Sequence, residues 1–197
     1  MPTQATKKSP VPTNPVALFA RNFLKYPSML GSIVPSSPFL VNDILGHVDW
    51  QHARVVVEFG PGVGTITREV LKRMRPDAAL IVIELNEDFV DYLRLTIPDP
   101  RLRIVHGSAA HVRRILAEHG FQAADYIISG LPYSLLPETL RQEIVAESRQ
   151  ALHPTGSLLV FQFTRKVLPY LKSSFRSVRL NFQLFNILPA MIFHCTP

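Results

Sequence analysis

The chain has 197 residues, of which 47% are hydrophobic, enough to build one domain with a full apolar core. Its single cysteine, Cys195, excludes an intramolecular disulfide, and no apolar run approaches the ~18 residues of a membrane-spanning helix. The formal net charge of +6 favours an anionic partner, which is either a nucleic acid or a membrane surface.

The first 50 residues predict a tail and a lid in front of the main domain. Residues 1–13 carry two lysines and three prolines and have little to bury, which predicts a disordered basic tail. Residues 14–50 predict an amphipathic helix at Val16–Tyr26, a loop, and a second helix at Phe39–Val48. The amphipathic helix either packs on its own domain or lies in a lipid interface, and a lid could do both in turn.

Residues 51–197 predict the main domain, in which strand and helix patterns alternate. This alternation predicts a Rossmann-like α/β fold with helices on both faces of a seven-stranded, mostly parallel sheet whose last strand is antiparallel. The predicted strands are Val55–Val57, Ala79–Ile83, Leu102–Val105, Tyr126–Ile128, Leu158–Phe163, Val178–Phe185 and Met191–His194.

A glycine-rich turn follows the first predicted strand. Glu58 ends the strand, and Gly60, Gly62 and Gly64 follow at every second position. Glycines let the backbone approach a ligand closely, because no Cβ stands in the way. Thr65 is the predicted N-cap of the next helix, so free backbone N–H groups would point into the turn.

A second acid stands about 20 residues after the glycines. Glu84 ends the second predicted strand, where nucleotide-binding βαβ units carry a ribose-binding acid. The alternation Glu58-x-Gly60-x-Gly62-x-Gly64 differs from a dinucleotide fingerprint, and an acid at the strand end suits a cationic ligand better than a pyrophosphate. The pattern resembles motif I of the class I S-adenosylmethionine-dependent methyltransferases.

This resemblance implies S-adenosyl-L-methionine as the cofactor and S-adenosyl-L-homocysteine as the product. Motif I would hold the methionine part, Glu84 both ribose hydroxyls, and Leu85 the adenine face. Ser108 and Ala109 stand where the family often has Asp-Ala, so a hydroxyl replaces a charged acceptor. The implied cofactor-binding residues are Glu58, Gly60, Pro61, Gly62, Gly64, Thr65, Glu84, Leu85, Ser108, Ala109, Ser129 and Gly130.

Ser129-Gly130-Leu131-Pro132-Tyr133 follows the fourth predicted strand, at the sheet edge where α/β proteins bind ligands. It resembles motif IV of amine methyltransferases, which implies Gly130, Pro132 and Tyr133 as catalytic residues, with the Tyr133 ring stacked on the target. An aromatic face stabilises the cation formed at nitrogen by ~0.5–2 kcal/mol. Gly130 offers no side chain to a nucleobase amino group, which favours an aliphatic amine. The alternative is a Pro-Tyr turn that only closes the sheet edge.

Further stretches resemble the bacterial phospholipid N-methyltransferases, and this resemblance runs from about Val16 to the C-terminus. It implies stepwise methylation of phosphatidylethanolamine to phosphatidylcholine by a peripheral enzyme. The stretches are Phe23-Leu24-Lys25-Tyr26-Pro27, Gly31-Ser32-Ile33-Val34-Pro35-Ser36-Ser37, Ser129-Gly130-Leu131-Pro132 and Asn186-Ile187-Leu188-Pro189-Ala190. The expected substrate and membrane contacts are Tyr26, Ser36, Ser37, Phe19, Arg21, Phe23, Lys25, Leu135 and Leu136.

We therefore expect a cytoplasmic protein at the surface of an anionic phospholipid membrane, with no nucleic acid and no metal ion bound. Glu138 and His111 are the candidates for a general base, although each reads as a surface helix residue. The basic residues expected to face the membrane are Arg165, Lys166, Lys172, Arg176 and Arg179.

Three other functions remain open at this point. An rRNA adenine dimethyltransferase would share the fold and the charge, but Gly130 and the lack of residues for an extra helical domain speak against it. A small-molecule amine methyltransferase would not need the amphipathic N-terminus. A domain that binds cofactor or membrane without catalysis is the third alternative.

Overall fold

The computed structural model describes residues 37–183 and 189–197, in which seven strands form one sheet. The strands are β1 (Val55–Phe59), β2 (Ala79–Glu84), β3 (Leu102–His106), β4 (Ala124–Ser129), β5 (Leu152–Gln162), β6 (Ser177–Gln183) and β7 (Ala190–Thr196). The helices are α1 (Pro38–Gly46), α2 (Thr65–Arg73), α3 (Glu87–Thr96), α4 (Val112–Glu118), α5 (Glu138–Ala151) and α6 (Leu168–Ser174).

The predictions for residues 1–36 lie outside the described residues. These are the basic tail, the amphipathic helix, and the contacts assigned to Phe19, Arg21, Phe23, Lys25, Tyr26 and Ser36. Of the helices that the structure does describe, none is both long and apolar enough to cross a membrane.

The strand order is β3-β2-β1-β4-β5-β7-β6, and β1 to β5 run parallel to one another. Strand β7 is antiparallel to both β5 and β6, which confirms the predicted Rossmann-like fold with its antiparallel last strand. The order reverses between β1 and β4. Parallel α/β sheets bind ligands beyond the carboxyl ends of their strands at such a point, so the topology places a site there.

The sheet is buried on both faces, which explains why its central strands read as continuous apolar runs. On one face, Val57 and Phe59 pack in a cluster with residues of α4, α5 and α6. On the other face, Val56, Leu80 and Val82 pack with residues of α1 and α2. Because successive strand residues alternate between the two faces, one apolar strand contributes to both clusters.

Helix α1 belongs to the core. Ser37 caps its N-terminus by accepting a hydrogen bond from the Leu40 N–H at 3.2 Å, and Pro38 takes the first helical position. Leu40, Ile44 and Leu45 are fully buried in the cluster that contains the central strands. The core therefore includes this helix and does not begin at residue 51, where the sequence analysis places its boundary.

Strand β5 begins at Leu152 and not at the predicted Leu158. The difference arises because the strand pairs with β4 on both sides of a bulge. Leu152 pairs with Ala124, while the next pair joins Ser157 to Tyr126, so residues 153–156 lie opposite Asp125 alone. A Cβ on Gly156 would lie 2.7 Å from the carbonyl oxygen of Asp125. Pro154, Thr155 and Gly156, which are typical turn residues, therefore mark a bulge within the strand and not the start of the strand.

Arg101 joins the loop before β3 to the C-terminal end of α2. Its Nη2 lies 2.7 Å from the Asp99 carboxylate and 2.8 Å from the carbonyl oxygen of Leu71, and its Nη1 lies 3.1 Å from that of Met74. The last carbonyl groups of a helix have no partner within the helix, and a cation is favourable at this end. Arg101 thus satisfies groups that the helix itself leaves unpaired.

We predict that Arg101→Ala lowers the free energy of unfolding by about 2 kcal/mol, because several partly buried acceptors lose their donor. Urea denaturation followed by circular dichroism measures the change. Arg94→Ala is the control, since Arg94 only pairs with Asp91 at 3.8 Å on the surface and such pairs contribute about 0–1 kcal/mol. Equal losses in the two variants would contradict the role given to Arg101.

Candidate active site

A cleft of about 320 Å³ opens at the carboxyl edge of the sheet, where the strand order reverses. Its walls come from the segments after β1, β2, β3 and β4 and from the start of α5. The structure brings these predicted site residues together in the cleft wall: Gly60, Gly62, Glu84, Leu85, Ser108, Ala109, Gly130, Pro132, Leu135 and Leu136.

Sequence reasoning missed a second set of lining residues, namely Ile83, Phe89, Gly107, Leu131, Leu140 and Ile144. Phe89 lies on helix α3, and Leu140 and Ile144 lie on helix α5. They belong to the apolar faces of these helices, and the sequence does not distinguish such residues from those that face the core. The other three adjoin predicted site residues, and adjacency was the one signal that could have found them. Neither Glu138 nor His111 lines the cleft.

The glycine turn after β1 adopts the backbone that its residues allow. Gly60, Gly62 and Gly64 have φ angles of 66°, 56° and 78°, a region that other residues rarely adopt. Apart from its chain neighbours, no atom of the described residues lies within 4 Å of the place where a Cβ on Gly62 would stand, so bare backbone faces the cleft here. Gly64 has a different task, because a Cβ there would lie 2.7 Å from Ile97 and 2.8 Å from Leu93.

Gly64, and not Thr65, is the N-cap of α2. The left-handed backbone of Gly64 turns the chain into the helix one residue earlier than predicted, and Thr65 becomes the first helical residue. Neither Gly64, Thr65 nor Pro61 lines the cleft. These three residues shape the turn. Because they lie outside the cleft wall, the structure does not place them where the predicted cofactor contacts would be made.

Glu84 lies in the cleft wall with its carboxylate held by two backbone groups. Oε2 accepts a hydrogen bond from the Gly62 N–H at 3.1 Å, and Oε1 accepts one from the Asn86 N–H at 2.9 Å. Burial raises the pKa of Glu84, while these N–H donors act in the opposite direction. Both oxygens keep accepting capacity, so the carboxylate suits the two hydroxyls of a ribose.

Glu58 lies behind the glycine turn and does not line the cleft. Its side chain is 2% exposed and accepts a hydrogen bond of 2.7 Å from the Thr67 hydroxyl. Burial raises the pKa of Glu58 to about 7, Thr67 opposes this shift, and the nearby Glu84 charge adds to it. The direct cofactor contact predicted for Glu58 is therefore absent here, and its side chain supports the turn from below.

The hydroxyl of Ser108 acts as a cap. It accepts a hydrogen bond from the Ala110 N–H at 3.3 Å and so begins the short 3-10 turn Ala109–His111. Both Ser108 and Ala109 line the cleft. Because the Ser108 oxygen already serves the backbone, it is a weaker acceptor for a ligand than the carboxylate it replaces in the motif.

The side chain of Tyr133 packs in the core and not against the cleft. Tyr133 is fully buried, and the Ser129 hydroxyl, equally buried, donates a hydrogen bond to its oxygen at 3.2 Å. Burial raises the pKa of the Tyr133 hydroxyl. The predicted stacking of this ring on the substrate is therefore not made in this structure, since the ring fills apolar space below the sheet edge, while Leu131 and Leu135 reach the cleft.

Arg141, which the sequence analysis did not single out, holds the turn that follows β4. Its Nε donates to the Tyr133 carbonyl oxygen at 2.9 Å, and its Nη2 donates to that of Leu136 at 2.9 Å. The guanidinium also lies 5.1 Å from the centre of the Tyr170 ring. Arg141 thus fixes the backbone that presents Leu135 and Leu136, although its position on a helix predicts only solvent exposure.

The seven-stranded fold, the glycine turn and the buried Glu84 define a class I S-adenosylmethionine-dependent methyltransferase. The fold matches a precorrin-6y C5,15-methyltransferase from Geobacter metallireducens with a TM-score of 0.63 and 14% identity, over 79% of this chain and 85% of that one. It also matches human methyltransferase-like protein 13 in complex with SAH, with a TM-score of 0.57 and 13% identity, over 87% of this chain and 81% of that one. These likenesses show the fold, and the family and relatives of the chain show that S-adenosylmethionine is the cofactor.

Residues 24–186 match the family described as ribosomal RNA adenine dimethylase, and the chain belongs to that family. Its relatives fall into two groups. An ornithine lipid N-methyltransferase from Singulisphaera acidiphila is 31% identical over 180 residues, which are 90% of this chain and 94% of the relative. A ribosomal RNA small subunit methyltransferase A from Dehalococcoides mccartyi is 30% identical over 142 residues, which are 71% of this chain and 45% of the relative.

The raised pKa of Glu58 predicts how stability depends on pH. The unfolded carboxyl ionises near 4.5 and the folded one near 7, so the folded state binds more protons between these values. The stability contribution of Glu58 is thus fully present below about pH 4.5 and is lost as the pH rises to about 7. Glu58→Gln removes this loss. Between pH 4.5 and 7, the free energy of unfolding of the variant should therefore rise by about 3 kcal/mol relative to that of the wild type.

Chemical unfolding of the cofactor-free protein between pH 4.5 and 8 measures this difference. Glu69→Gln is the control, because Glu69 is on the surface of α2 and pairs with Lys72 there. Parallel stability curves for wild type and Glu58→Gln would contradict a buried, protonated Glu58.

Proposed function

We propose that this protein transfers methyl groups from S-adenosylmethionine to the primary amine of phosphatidylethanolamine, stepwise to phosphatidylcholine, at an anionic membrane surface in the cytoplasm. The observation that carries the proposal is the relationship to a lipid N-methyltransferase along almost the whole of both chains. The ribosomal RNA relative shares less than half of its own length with this chain.

The acceptor end of the cleft supports an aliphatic amine. Gly130, Leu131 and Pro132 form this part of the wall, and Gly130 brings only backbone to it. A planar nucleobase amino group has two N–H donors that need acceptors in its own plane, and Gly130 adds no side-chain acceptor to its backbone carbonyl, whereas one carbonyl oxygen can orient an alkylamine. We assign this task to the carbonyl group of Gly130.

The cleft wall also favours the neutral form of the amine. A primary alkylamine resembles lysine, with a pKa near 10.4, so its deprotonation at pH 7 costs about 4–5 kcal/mol. Leu136, Leu140 and Ile144 line the cleft and exclude water, and desolvation lowers the pKa of an amine. The cofactor supplies an electrophilic methyl group on a positively charged sulfur, while Glu84 and the glycine turn hold its ribose and methionine parts.

Exposed apolar and basic residues support a lipid surface as the partner. Leu85 and Leu135 line the cleft and are 72% and 52% exposed. The segment from Arg165 to Gln183 contains five basic residues and no acidic residue, and all five are exposed. Each basic residue near an anionic lipid surface contributes about 1 kcal/mol to binding.

Labelled S-adenosylmethionine and vesicles of defined composition test the proposal. We expect label in the mono-, di- and trimethylated forms of phosphatidylethanolamine, resolved by headgroup after lipid extraction. Glu84→Gln is the control, because an amide donates a hydrogen bond where the wild type accepts one from Gly62, and it should lose cofactor binding and all labelling. Absence of labelled lipid with an active wild-type enzyme would overturn the proposal.

Parallel reactions separate the competing substrates. Ornithine lipid is a second candidate, since the relative in Singulisphaera acidiphila carries that name and the lipid ends in a primary amine. Label in ornithine lipid alone would retain N-methylation of a lipid amine as the reaction and would replace phosphatidylethanolamine by ornithine lipid as the acceptor. Label only in structured ribosomal RNA would assign the protein to the activity for which its family is named.

The basic segment should bind the membrane. The double variant Lys172→Glu and Arg176→Glu reverses two of these charges. Its binding to anionic vesicles, measured by co-sedimentation, should be more than tenfold weaker than that of the wild type and should depend less on salt concentration. The double variant Arg113→Glu and Arg114→Glu on α4 changes the net charge equally and should bind nearly as wild type. Equal weakening in both double variants would show a general charge effect and would contradict a defined membrane-facing segment.

A further inference from the structure

Residues 130–136, which we call the acceptor loop, follow β4 and form the acceptor end of the cleft wall. Groups outside the loop hold its backbone in place. The Gly130 N–H donates a hydrogen bond of 3.0 Å to the Phe59 carbonyl oxygen, and Arg141 binds two carbonyl groups farther along the loop. Among the described residues, none donates a hydrogen bond to the carbonyl oxygen of Gly130. This oxygen is therefore available to a ligand.

Gln162, the last residue of β5, holds the next carbonyl group of the acceptor loop. It is 6% exposed, and its Nε2 donates a hydrogen bond of 2.7 Å to the Leu131 carbonyl oxygen. The same oxygen accepts a hydrogen bond from the Tyr133 N–H at 2.9 Å. A carbonyl oxygen has two lone pairs, and because both are used here, the peptide plane that follows Leu131 is fixed.

The position of Gln162 requires a hydrogen-bond donor. Its Nε2 lies 2.7 Å from the Leu131 carbonyl oxygen and 2.5 Å from the carbonyl oxygen of Phe161. Carbonyl oxygens only accept hydrogen bonds, so the group that lies between them has to donate. A methionine would fill a similar volume but would leave the Leu131 oxygen with one donor fewer. The amide is therefore needed for its N–H groups and not only for its size.

Leu131 joins the acceptor loop to the glycine turn. A Cβ on Gly60 would lie 3.1 Å from Cδ2 of Leu131 and 3.9 Å from the carbonyl carbon of Gly130. The Leu131 side chain thus packs against the turn that would hold the methionine part of the cofactor, and the Gly130 carbonyl group lies beside it. A shift of the Leu131 backbone would move this side chain and the Gly130 carbonyl group together.

Resting on the proposed function, in which the Gly130 carbonyl oxygen orients the amine, we propose that Gln162 is a positioning residue for methyl transfer. Its hydrogen bond fixes the backbone of Leu131 and thereby the position of the Gly130 carbonyl oxygen relative to the methyl donor. Transfer needs the reacting atoms aligned at about 3–3.5 Å, and a misplacement of about 1 Å costs about 100-fold in rate. Gln162 therefore acts on the rate of transfer and not on the affinity for the cofactor.

Kinetics on lipid vesicles test this role. Gln162→Met removes the donor with little change of volume, and it should lower kcat about tenfold or more while the Kd for S-adenosylmethionine stays within about twofold of the wild-type value. Gln142→Met is the matched control, because Gln142 is exposed on α5, and it should keep both wild-type values. Wild-type kcat in Gln162→Met, or an equal loss of cofactor affinity, would overturn the proposal.

Gln162→Glu distinguishes a donor from a side chain that only fills space. Burial raises the pKa of a carboxyl group, so at pH 6 the introduced group is protonated and its O–H can donate to the Leu131 carbonyl oxygen. At this pH, the kcat of Gln162→Glu should be about threefold or more above that of Gln162→Met. Equal kcat values for the two variants would overturn the claim that the position requires a donor.

Hydrogen exchange measured by mass spectrometry separates this proposal from the proposed function, because it needs no methyl acceptor. In the full chain saturated with S-adenosylhomocysteine, Gln162→Met should speed exchange about tenfold in peptides that cover the acceptor loop and leave peptides of β1 unchanged. Unchanged exchange in the loop overturns the role of Gln162, even where lipid is methylated. Faster exchange in the loop, together with methylation of RNA alone, overturns the proposed function and retains Gln162 as the residue that fixes the loop.

Discussion

The hydrogen bond between the Gly62 N–H and the Glu84 carboxylate joins the ends of β1 and β2, and the cleft is built around it. The glycine must adopt a positive φ for its N–H to reach the acid, and the acid must be buried for the strand ends to close. Glu58 lies beneath the same turn and is more easily protonated in part because Glu84 is charged. Glu84 therefore supplies the negative charge at this turn, to which a cationic cofactor is well matched.

The sequence predicted most of the fold because each central strand is a continuous apolar run, and side-chain caps begin two of the described helices, α1 and α3. Asn86 illustrates such a cap, since its side chain accepts a hydrogen bond from the Asp88 N–H at the start of α3. The residues whose side-chain direction was wrongly predicted share one property: each lies next to a turn of the chain. Glu58 was correctly placed near the end of β1 and Tyr133 in the turn after β4, but a motif does not determine whether such a side chain points into the cleft or into the core.

By their names, the two groups of relatives are both methyltransferases and differ in what receives the methyl group. The glycine turn and Glu84 depend only on backbone geometry and one carboxylate, so they can serve either acceptor. The acceptor end depends on few atoms, namely the backbone of Gly130 and the side chains beside it.

Strand β6 ends the sheet, so one row of its backbone groups lacks a neighbouring strand among the described residues. Arg179 lies within this strand and Arg176 directly before it, and both are exposed. Two copies that approached edge to edge would bring these like charges together, which disfavours pairing between their backbones. The basic character of this edge therefore disfavours edge-to-edge pairing of strands, so apolar substitutions made there to probe lipid contact would also favour such pairing.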